Sequence, residues 1–274
     1  MTLAIITSGG GMRCSFGAGA LLALAEHHGI REPDIFICAS GSAGTATYYR
    51  SGQYDSIRAI WSGRLSTKRF INFARVSKVI DIDYLIDTVF GREEPLDLEA
   101  FGRSPIHQVV AALNLKSGSL DYLEPNEANV LEVLRATKAM PLAYKMHPGV
   151  VIDGTPYCDS PISTRSRSHV RRAVELGADT IITINSDTDL RTSIFFDAWM
   201  LFQPCRAQYV RERPHEYTPP GHVKHYVIEP ETMHPSSLFT TDPVRLARSL
   251  EQGYEQVSGD AKLASFLESV SRRT

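Results

Sequence analysis

The length, composition and charge of the chain already restrict its class. It has 274 residues, 43% of them hydrophobic and 22% charged, with a formal net charge of −2. These values are typical of a globular protein with one large domain, and they argue against a nucleic-acid partner. No apolar run reaches the about 18 residues of a membrane span, and the first residues predict no secretion signal. Four cysteines without a CxxC pair predict reduced thiols in a cytoplasmic protein.

Short apolar runs and helical patterns alternate along the first part of the chain. Residues 3–7 and 34–39 have the composition of buried strands, and a helical pattern follows each of them. This alternation predicts a three-layer α/β/α fold with a mainly parallel central sheet. The same patterns predict further strands near 106–113, 149–152 and 180–185, and further helices within 54–100, 128–139 and 163–177.

The pattern weakens after residue 186 and becomes helical again over residues 242–271. Loop-like segments rich in proline and polar residues lie between these points. We therefore expect a principal domain over residues 1–190, with residues 191–274 forming a C-terminal helical extension packed against it.

Two glycine-rich turns follow the first two predicted strands. The first turn is Gly9-Gly10-Gly11, and the second has the sequence SGSAG over residues 40–44. Small residues flank Ser42 at a predicted strand-to-helix bend, which is where a nucleophilic hydroxyl is exposed. A run of glycine amides is suited to stabilising an oxyanion. A serine N-cap and a flexible loop are the simpler interpretations of the two turns, but their occurrence on consecutive strands favours acyl-transfer chemistry.

A third polar segment lies far along the chain, at residues 150–161. It contains Asp153 and Asp159, and either carboxylate would serve as a base if the fold brought it to Ser42. Asp153 precedes a glycine, which is typical of a hairpin turn, and Asp159 precedes Pro161, as a helix cap would.

Together these segments resemble the patatin-like phospholipase family, in its compact bacterial branch. The family's glycine motif with a following arginine matches residues 9–13. Its nucleophile elbow matches residues 40–44 and assigns the nucleophile to Ser42. Its Tyr-x-Asp motif matches residues 157–159 and assigns the dyad aspartate to Asp159. Residues 136–141 are similar to the family's A-S-x-A-x-P segment, and the resemblance extends over about residues 3–190.

The resemblance implies a patatin-like catalytic domain over residues 1–190 and a serine acyl hydrolase of the lipid esterase or phospholipase A type. Asp159 would accept the proton of Ser42, without a catalytic histidine, a metal or another cofactor. Arg13 would order the glycine loop. The substrates would be acyl lipids, met as monomers or at the periphery of a membrane. The oxyanion hole would consist of the backbone amides of Gly9, Gly10 and Gly11.

The chain departs from the family pattern at Cys14 and Ser40, which replace glycines, and at Ser160-Pro161, which replaces a small pair. Each added side chain crowds a bend that glycine usually relieves. An active hydrolase remains the favoured interpretation. A degenerate domain that binds lipid or protein is one alternative, and an acyltransferase that uses the same acyl-enzyme is another.

Three other features have competing interpretations. A Ser–His–Asp triad would take its histidine from the tail, but the scattered positions favour surface loops: His215, His222, His225 and His234. The aromatic segment 194–202 favours core packing over a membrane-dipping lid. A basic face after Asp159 is a solvated surface or a contact for lipid phosphate: Arg165, Arg167, Arg171 and Arg172.

Overall fold

The computed structural model of the chain describes residues 1–144, 149–186, 194–212 and 217–271. In this part of the chain the central layer is one sheet of eight strands with the order β5-β6-β3-β2-β1-β7-β8, and β4 pairs with β3. In chain order, β1 to β8 are Leu3–Thr7, Ile35–Ala39, His107–Asn114, Leu120–Leu123, Val150–Ile152, Thr155–Cys158, Thr180–Ile184 and Lys224–Ile228. The neighbours among β1, β2, β3, β7 and β8 are parallel, whereas the β3–β4, β3–β6 and β5–β6 pairs are antiparallel.

Ten α-helices surround the sheet within the described residues. In chain order, α1 to α10 are Cys14–Glu26, Ser40–Arg50, Tyr54–Ala59, Leu98–Arg103, Val130–Thr137, Ser166–Glu175, Ile194–Met200, Arg206–Arg211, Pro243–Ser258 and Ala261–Ser271. A 3₁₀ turn covers Gly11–Arg13, and π-helical segments cover Ile60–Arg64 and Tyr84–Glu93. The region 54–100 is therefore less regular than its amphipathic pattern predicts.

Successive residues of β1 pack into different layers. Ile5 belongs to the core that contains Phe16 of α1, and Ile6 belongs to the core that contains Val170 and Ala173 of α6. All five residues of β1 are buried, as expected for a parallel strand covered on both faces. The predicted three-layer α/β/α fold with a mainly parallel sheet is confirmed.

The C-terminal segment contributes both a strand and helices. β8 extends the sheet by pairing in parallel with β7. α9 packs closely on α1, since a Cβ at Gly253 would lie 2.0 Å from the carbonyl oxygen of Phe16. The predicted helix over 242–271 divides near Gly259 into α9 and α10. The helical extension is present, and the sequence prediction missed its strand.

The fold brings several chain turns to one edge of the sheet. Ser8 follows β1 and Ser40 follows β2, and these parallel strands end at the same edge. Asp159 follows β6, whose Cys158 pairs with Leu113 near the end of β3. The backbone amide of Asp159 donates to the carbonyl of Ala139 at 3.1 Å, which connects this turn to the segment after α5.

Candidate active site

Ser40 occupies the bend between β2 and α2. β2 ends at Ala39 and α2 begins at Ser40, whose φ of 50° lies in the left-handed region. A non-glycine residue rarely adopts this conformation, and such strain is concentrated at functional sites. Ser42 lies in the first turn of the helix, where its Oγ donates to the Ala39 carbonyl at 2.9 Å. The corner of the elbow is therefore Ser40.

Asp159 contacts Ser40 and not Ser42. The Oγ of Ser40 donates to Oδ2 of Asp159 at 2.7 Å, and the residues are 5% and 4% exposed. The other acceptor of Ser42, the carbonyl of Thr7 at 3.4 Å, lies in β1. Two residues along a helix rotate a side chain by about 200°, so Ser42 faces away from the carboxylate that Ser40 meets. In the structure Asp159 is therefore hydrogen-bonded to Ser40, and the expected contact between Ser42 and Asp159 is not formed.

The end of α5 holds both backbone polar groups of Ser40. Its N–H donates to Oγ1 of Thr137 at 2.9 Å, and its carbonyl accepts a hydrogen bond from Nζ of Lys138. Thr137 in turn donates to the carbonyl of Ala111 in β3 at 2.7 Å. These contacts anchor the backbone of the strained bend to the end of α5.

The glycine loop after β1 lies directly against the elbow. A Cβ at Gly9 would lie 3.0 Å from the Cβ of Ser40, and a Cβ at Gly41 would lie 2.7 Å from the carbonyl oxygen of Gly11. Gly10 and Gly11 have positive φ values of 142° and 54°. Side chains at these positions would separate or strain the two turns. The structure therefore brings together the two glycine-rich turns that the sequence singled out.

The loop amides differ in their partners. The amide of Gly9 donates to the carbonyl of Thr164 at 2.8 Å, and that of Met12 donates to the carbonyl of Leu238 at 3.1 Å. Among the described residues, no protein acceptor receives the amides of Gly10 and Gly11. Of the three predicted oxyanion donors, that of Gly9 is therefore engaged within the protein.

Arg13 is braced by the C-terminal segment. Its carbonyl accepts a hydrogen bond from Nε2 of His234 at 2.9 Å, so this nitrogen carries the proton. Nδ1 of His234 then accepts from the Oγ of Ser236 at 3.0 Å. Burial lowers the pKa of His234 to about 4, which keeps the ring neutral. His234 supports the glycine loop from behind, and this contact was not foreseen from the sequence.

The other histidines do not complete a triad. Burial lowers the pKa of His169 to about 4, and its ring contacts the carbonyl of Ser163 at 2.9 Å. His225 lies on β8 beside Thr183 at 2.9 Å, and His222 is exposed. His215 lies outside the described residues. In the part of the chain that the structure describes, no histidine is hydrogen-bonded to Ser40 or Asp159.

An apolar cavity opens beside the two polar side chains. It has a volume of about 60 Å³ and reaches Ser40, Asp159 and Lys138 at its polar end. Its walls come largely from the segment between α2 and α4, including Trp61, Leu65, Phe70, Ile82 and Leu85. The sequence prediction treated these residues as one side of amphipathic helices and did not foresee a cavity.

Burial sets the protonation of the polar end. It raises the pKa of Asp159 to about 6, against the opposing effects of the hydrogen bond from Ser40 and the charge of Lys138. Burial also lowers the pKa of Lys138 to about 8. At neutral pH the carboxylate is therefore mostly ionised, with a pKa close to the value that suits a general base.

A model of the patatin-like phospholipase family matches residues 5–163, which is more than half of the chain. The chain belongs to the patatin-like phospholipase family. The match spans the glycine loop, the elbow and the segment that carries Asp159.

Comparisons with three known proteins give the degree of similarity. The chain is 27% identical over 191 residues to the uncharacterized protein YjjU of Escherichia coli (strain K12), covering 67% of this chain and 52% of YjjU. It therefore spans about half the length of this curated relative. The structure is similar to VipD from Legionella pneumophila, with 13% identity and a TM-score of 0.46, and the match covers 93% of this chain and 66% of the VipD chain. It is also similar to human GIVD cytosolic phospholipase A2, with 13% identity and a TM-score of 0.48, and the match covers 100% of this chain and 60% of the phospholipase chain.

The remaining predictions for this patatin-like chain have clear outcomes. Asp153 is exposed in the turn between β5 and β6, as its hairpin interpretation requires. Phe196 packs in a buried cluster with Met200 and Tyr209, whereas Phe202 is 85% exposed. Residues 191–193 and the side chains at 194 and 195 lie outside the description.

Two arginines of the predicted basic face stack on aromatic rings. The guanidinium carbon of Arg171 lies 5.6 Å from the ring centre of Tyr217, and that of Arg172 lies 5.5 Å from the ring centre of Tyr122.

Among the described residues, no helix is both long and apolar enough to cross a membrane.

Proposed function

We propose that the protein is a serine acyl hydrolase that cleaves acyl esters of lipids, with Ser40 as the nucleophile and Asp159 as the general base. The observation that carries the proposal is the 2.7 Å contact between Ser40 Oγ and Asp159 Oδ2 at a strained strand-to-helix bend. Membership of the patatin-like phospholipase family supports the reaction class. The pairing replaces Ser42 in the dyad and keeps Asp159.

The proposed reaction has two halves. Ser40 Oγ attacks the ester carbonyl carbon while Asp159 takes its proton, and the tetrahedral oxyanion accepts hydrogen bonds from the amides of Gly10 and Gly11. The intermediate collapses to an acyl-enzyme, and the leaving alcohol takes the proton from Asp159. Water then attacks the acyl-enzyme, again giving its proton to Asp159. The second tetrahedral intermediate releases the fatty acid as the proton returns to Ser40.

The neighbouring cavity supports an acyl chain as the group transferred. Its walls are apolar apart from the end at Ser40, so burial of the chain's methylene groups contributes to binding, at about 0.8 kcal/mol for each. Arg13 acts in this scheme by ordering the glycine loop, since His234 holds its carbonyl. Contact with the periphery of a membrane remains part of the proposal for lipid substrates.

The test compares four proteins on medium-chain p-nitrophenyl esters and on a fluorophosphonate serine probe. We expect Ser40→Ala to lose probe labelling, and turnover to fall by on the order of 10³-fold or more in Ser40→Ala and in Asp159→Asn. Ser42→Ala is the matched control, and it should retain labelling because its hydroxyl bonds only backbone carbonyls.

Each contrary result has a separate meaning. Loss of labelling in Ser42→Ala alone would restore Ser42 as the nucleophile. Absence of labelling in the wild type would refute the enzyme proposal and support a lipid- or protein-binding domain. Product formed by transfer to an added alcohol, without hydrolysis, would identify an acyltransferase.

A further inference from the structure

The buried amine of Lys138 has no role in the reaction just described. Lysine is almost never fully buried unless it is paired, yet Lys138 is only 5% exposed. It follows Thr137 at the end of α5 and lines the cavity together with Ser40 and Asp159. A Cβ at Gly44 would lie 3.8 Å from its Nζ, so the amine lies beside the first turns of α2. The ammonium is therefore part of the polar end of the cavity.

The contacts of Lys138 link it to both proposed dyad members. Its Nζ donates to the carbonyl of Ser40, and the Oγ of the same serine donates to Asp159. The amide of Asp159 donates to the carbonyl of Ala139, the residue directly after Lys138. A short path of hydrogen bonds and covalent bonds therefore fixes the cation relative to the carboxylate.

The titratable groups around this pair leave Asp159 as its negative partner. The thiol of Cys38 on β2 is fully buried, and burial raises its pKa to about 12, so it is neutral. Burial also raises the pKa of Cys158 on β6 well above its ordinary value. Cys14 at the start of α1 directs its thiol to the carbonyl of Ser8 at 3.7 Å. Of the groups facing Lys138, Asp159 is the one that is ionised near neutral pH.

We propose that Lys138 is a positioning residue for ester hydrolysis, which holds the Ser40 bend and supplies the positive charge that keeps Asp159 ionised. The inference rests on the proposed function of the Ser40–Asp159 pair. Asp159 accepts the proton as a carboxylate, so a neighbouring cation extends the pH range in which the base is active. The hydrogen bond to the Ser40 carbonyl is a second and separable contribution.

The sign of the expected effect follows from the two pKa values. Burial raises the pKa of Asp159 to about 6, and the charge of Lys138 opposes this rise. Lys138 has a pKa of about 8, so it carries its charge at the pH where Asp159 titrates. Removing the charge must raise the pKa of Asp159 further and move the acidic limb of the rate profile to higher pH. Well above both values the carboxylate is ionised in either protein, and the effect should vanish.

The direct test measures the pKa of Asp159 from the carboxyl signals of ¹³C-aspartate-labelled protein, assigned with Asp159→Asn. Lys138→Met removes the charge and the donor, Lys138→Gln removes the charge and keeps a donor, and Lys138→Arg keeps both. We expect the pKa of Asp159 to rise by about one unit or more in Lys138→Met and Lys138→Gln. In Lys138→Arg the pKa of Asp159 should change by less than half of that amount. Lys116→Met removes an exposed lysine and serves as the matched control.

The pH profile of kcat/KM gives the second readout. The acidic limb should move upward in Lys138→Gln with a preserved alkaline plateau, and Lys138→Met should also show a lower plateau. An unchanged pKa in Lys138→Gln, or a rate reduced equally at every pH, would overturn the electrostatic role. An inactive wild type would refute the proposed function, and with it a role of Lys138 in hydrolysis. Because the titration needs no turnover, it would still decide whether the charge of Lys138 keeps Asp159 ionised.

Discussion

Thr137 offers a sharp test of how the strained bend is maintained. Its hydroxyl accepts from the amide of Ser40 at 2.9 Å and donates to the carbonyl of Ala111 at 2.7 Å, and the residue is fully buried. Valine has nearly the same shape and lacks the hydroxyl. Thr137→Val therefore leaves the Ser40 amide without its partner while the surrounding packing is retained.

The size of the effect follows from that unpaired amide. A buried donor left without an acceptor costs about 1–3 kcal/mol. The φ of 50° at Ser40 costs on the order of 1–3 kcal/mol in the wild type as well, so the bend depends on partners such as Thr137. We expect Thr137→Val to be less stable by about 2 kcal/mol, which lowers the Tm by roughly 4–8 °C. A displaced nucleophile should also lower kcat/KM by about 10- to 100-fold.

Thermal unfolding and ester turnover measure the two effects, and Thr137→Ser is the matched control. Serine restores a hydroxyl at the same position, so the control should recover most of the rate. A Thr137→Val protein with a Tm within 1 °C of the wild type and a rate within about twofold would refute the role assigned to this hydrogen bond.

Two other substitutions test the support of the site. His234→Ala should lower kcat by about tenfold with a smaller change in KM, because the Arg13 carbonyl loses its donor and the glycine loop loosens; exposed His222→Ala is the control, and equal rates in the two variants would contradict the bracing role. Gly253→Ala should destabilise the protein by about 1–3 kcal/mol, since the new Cβ would lie 2.0 Å from the Phe16 carbonyl oxygen. Gly63→Ala is the control, because a Cβ there would meet nothing within 4 Å, and it should leave the Tm almost unchanged. An equally small change in Gly253→Ala would contradict the close packing of α1 on α9.

The fold class could be predicted because its strongest signals are local. β1, β2 and β7 are buried along their whole length, so they appear in the sequence as continuous apolar runs between helical patterns. The missed strands lack that signal. β8 has the sequence KHYVI and is mostly half-buried at the sheet edge, and β6 contains Pro156, which is unusual within a strand.

The sequence located the serine-containing turn of the candidate site, but the serine that it favours lies two residues from the one that contacts Asp159. The sequence SGSAG offers two serines, and the choice between them depends on the residue at which β2 ends. The strand ends at Ala39, so the bend falls on Ser40, and Ser42 turns towards β1. Small residues, Ala39 and Gly41, also flank Ser40 in the sequence, but the family pattern aligns Ser40 with a glycine and therefore favours Ser42.

Lys138 illustrates a limit of a different kind. Nothing in its sequence context distinguishes it from a lysine that ends an exposed helix. Its burial depends on α5 ending against the Ser40 bend and on the walls supplied by the segment between α2 and α4. Such long-range packing has no local pattern, so neither the buried charge nor the cavity could be foreseen.

Locating the serine that a fluorophosphonate modifies decides between Ser40 and Ser42 as the nucleophile. Protein labelled with the probe would be digested, and fragment ions of the peptide containing residues 40–44 would assign the modified position. We expect the adduct on Ser40, and none on the Asp159→Asn variant over the same time. An adduct on Ser42 would contradict this expectation.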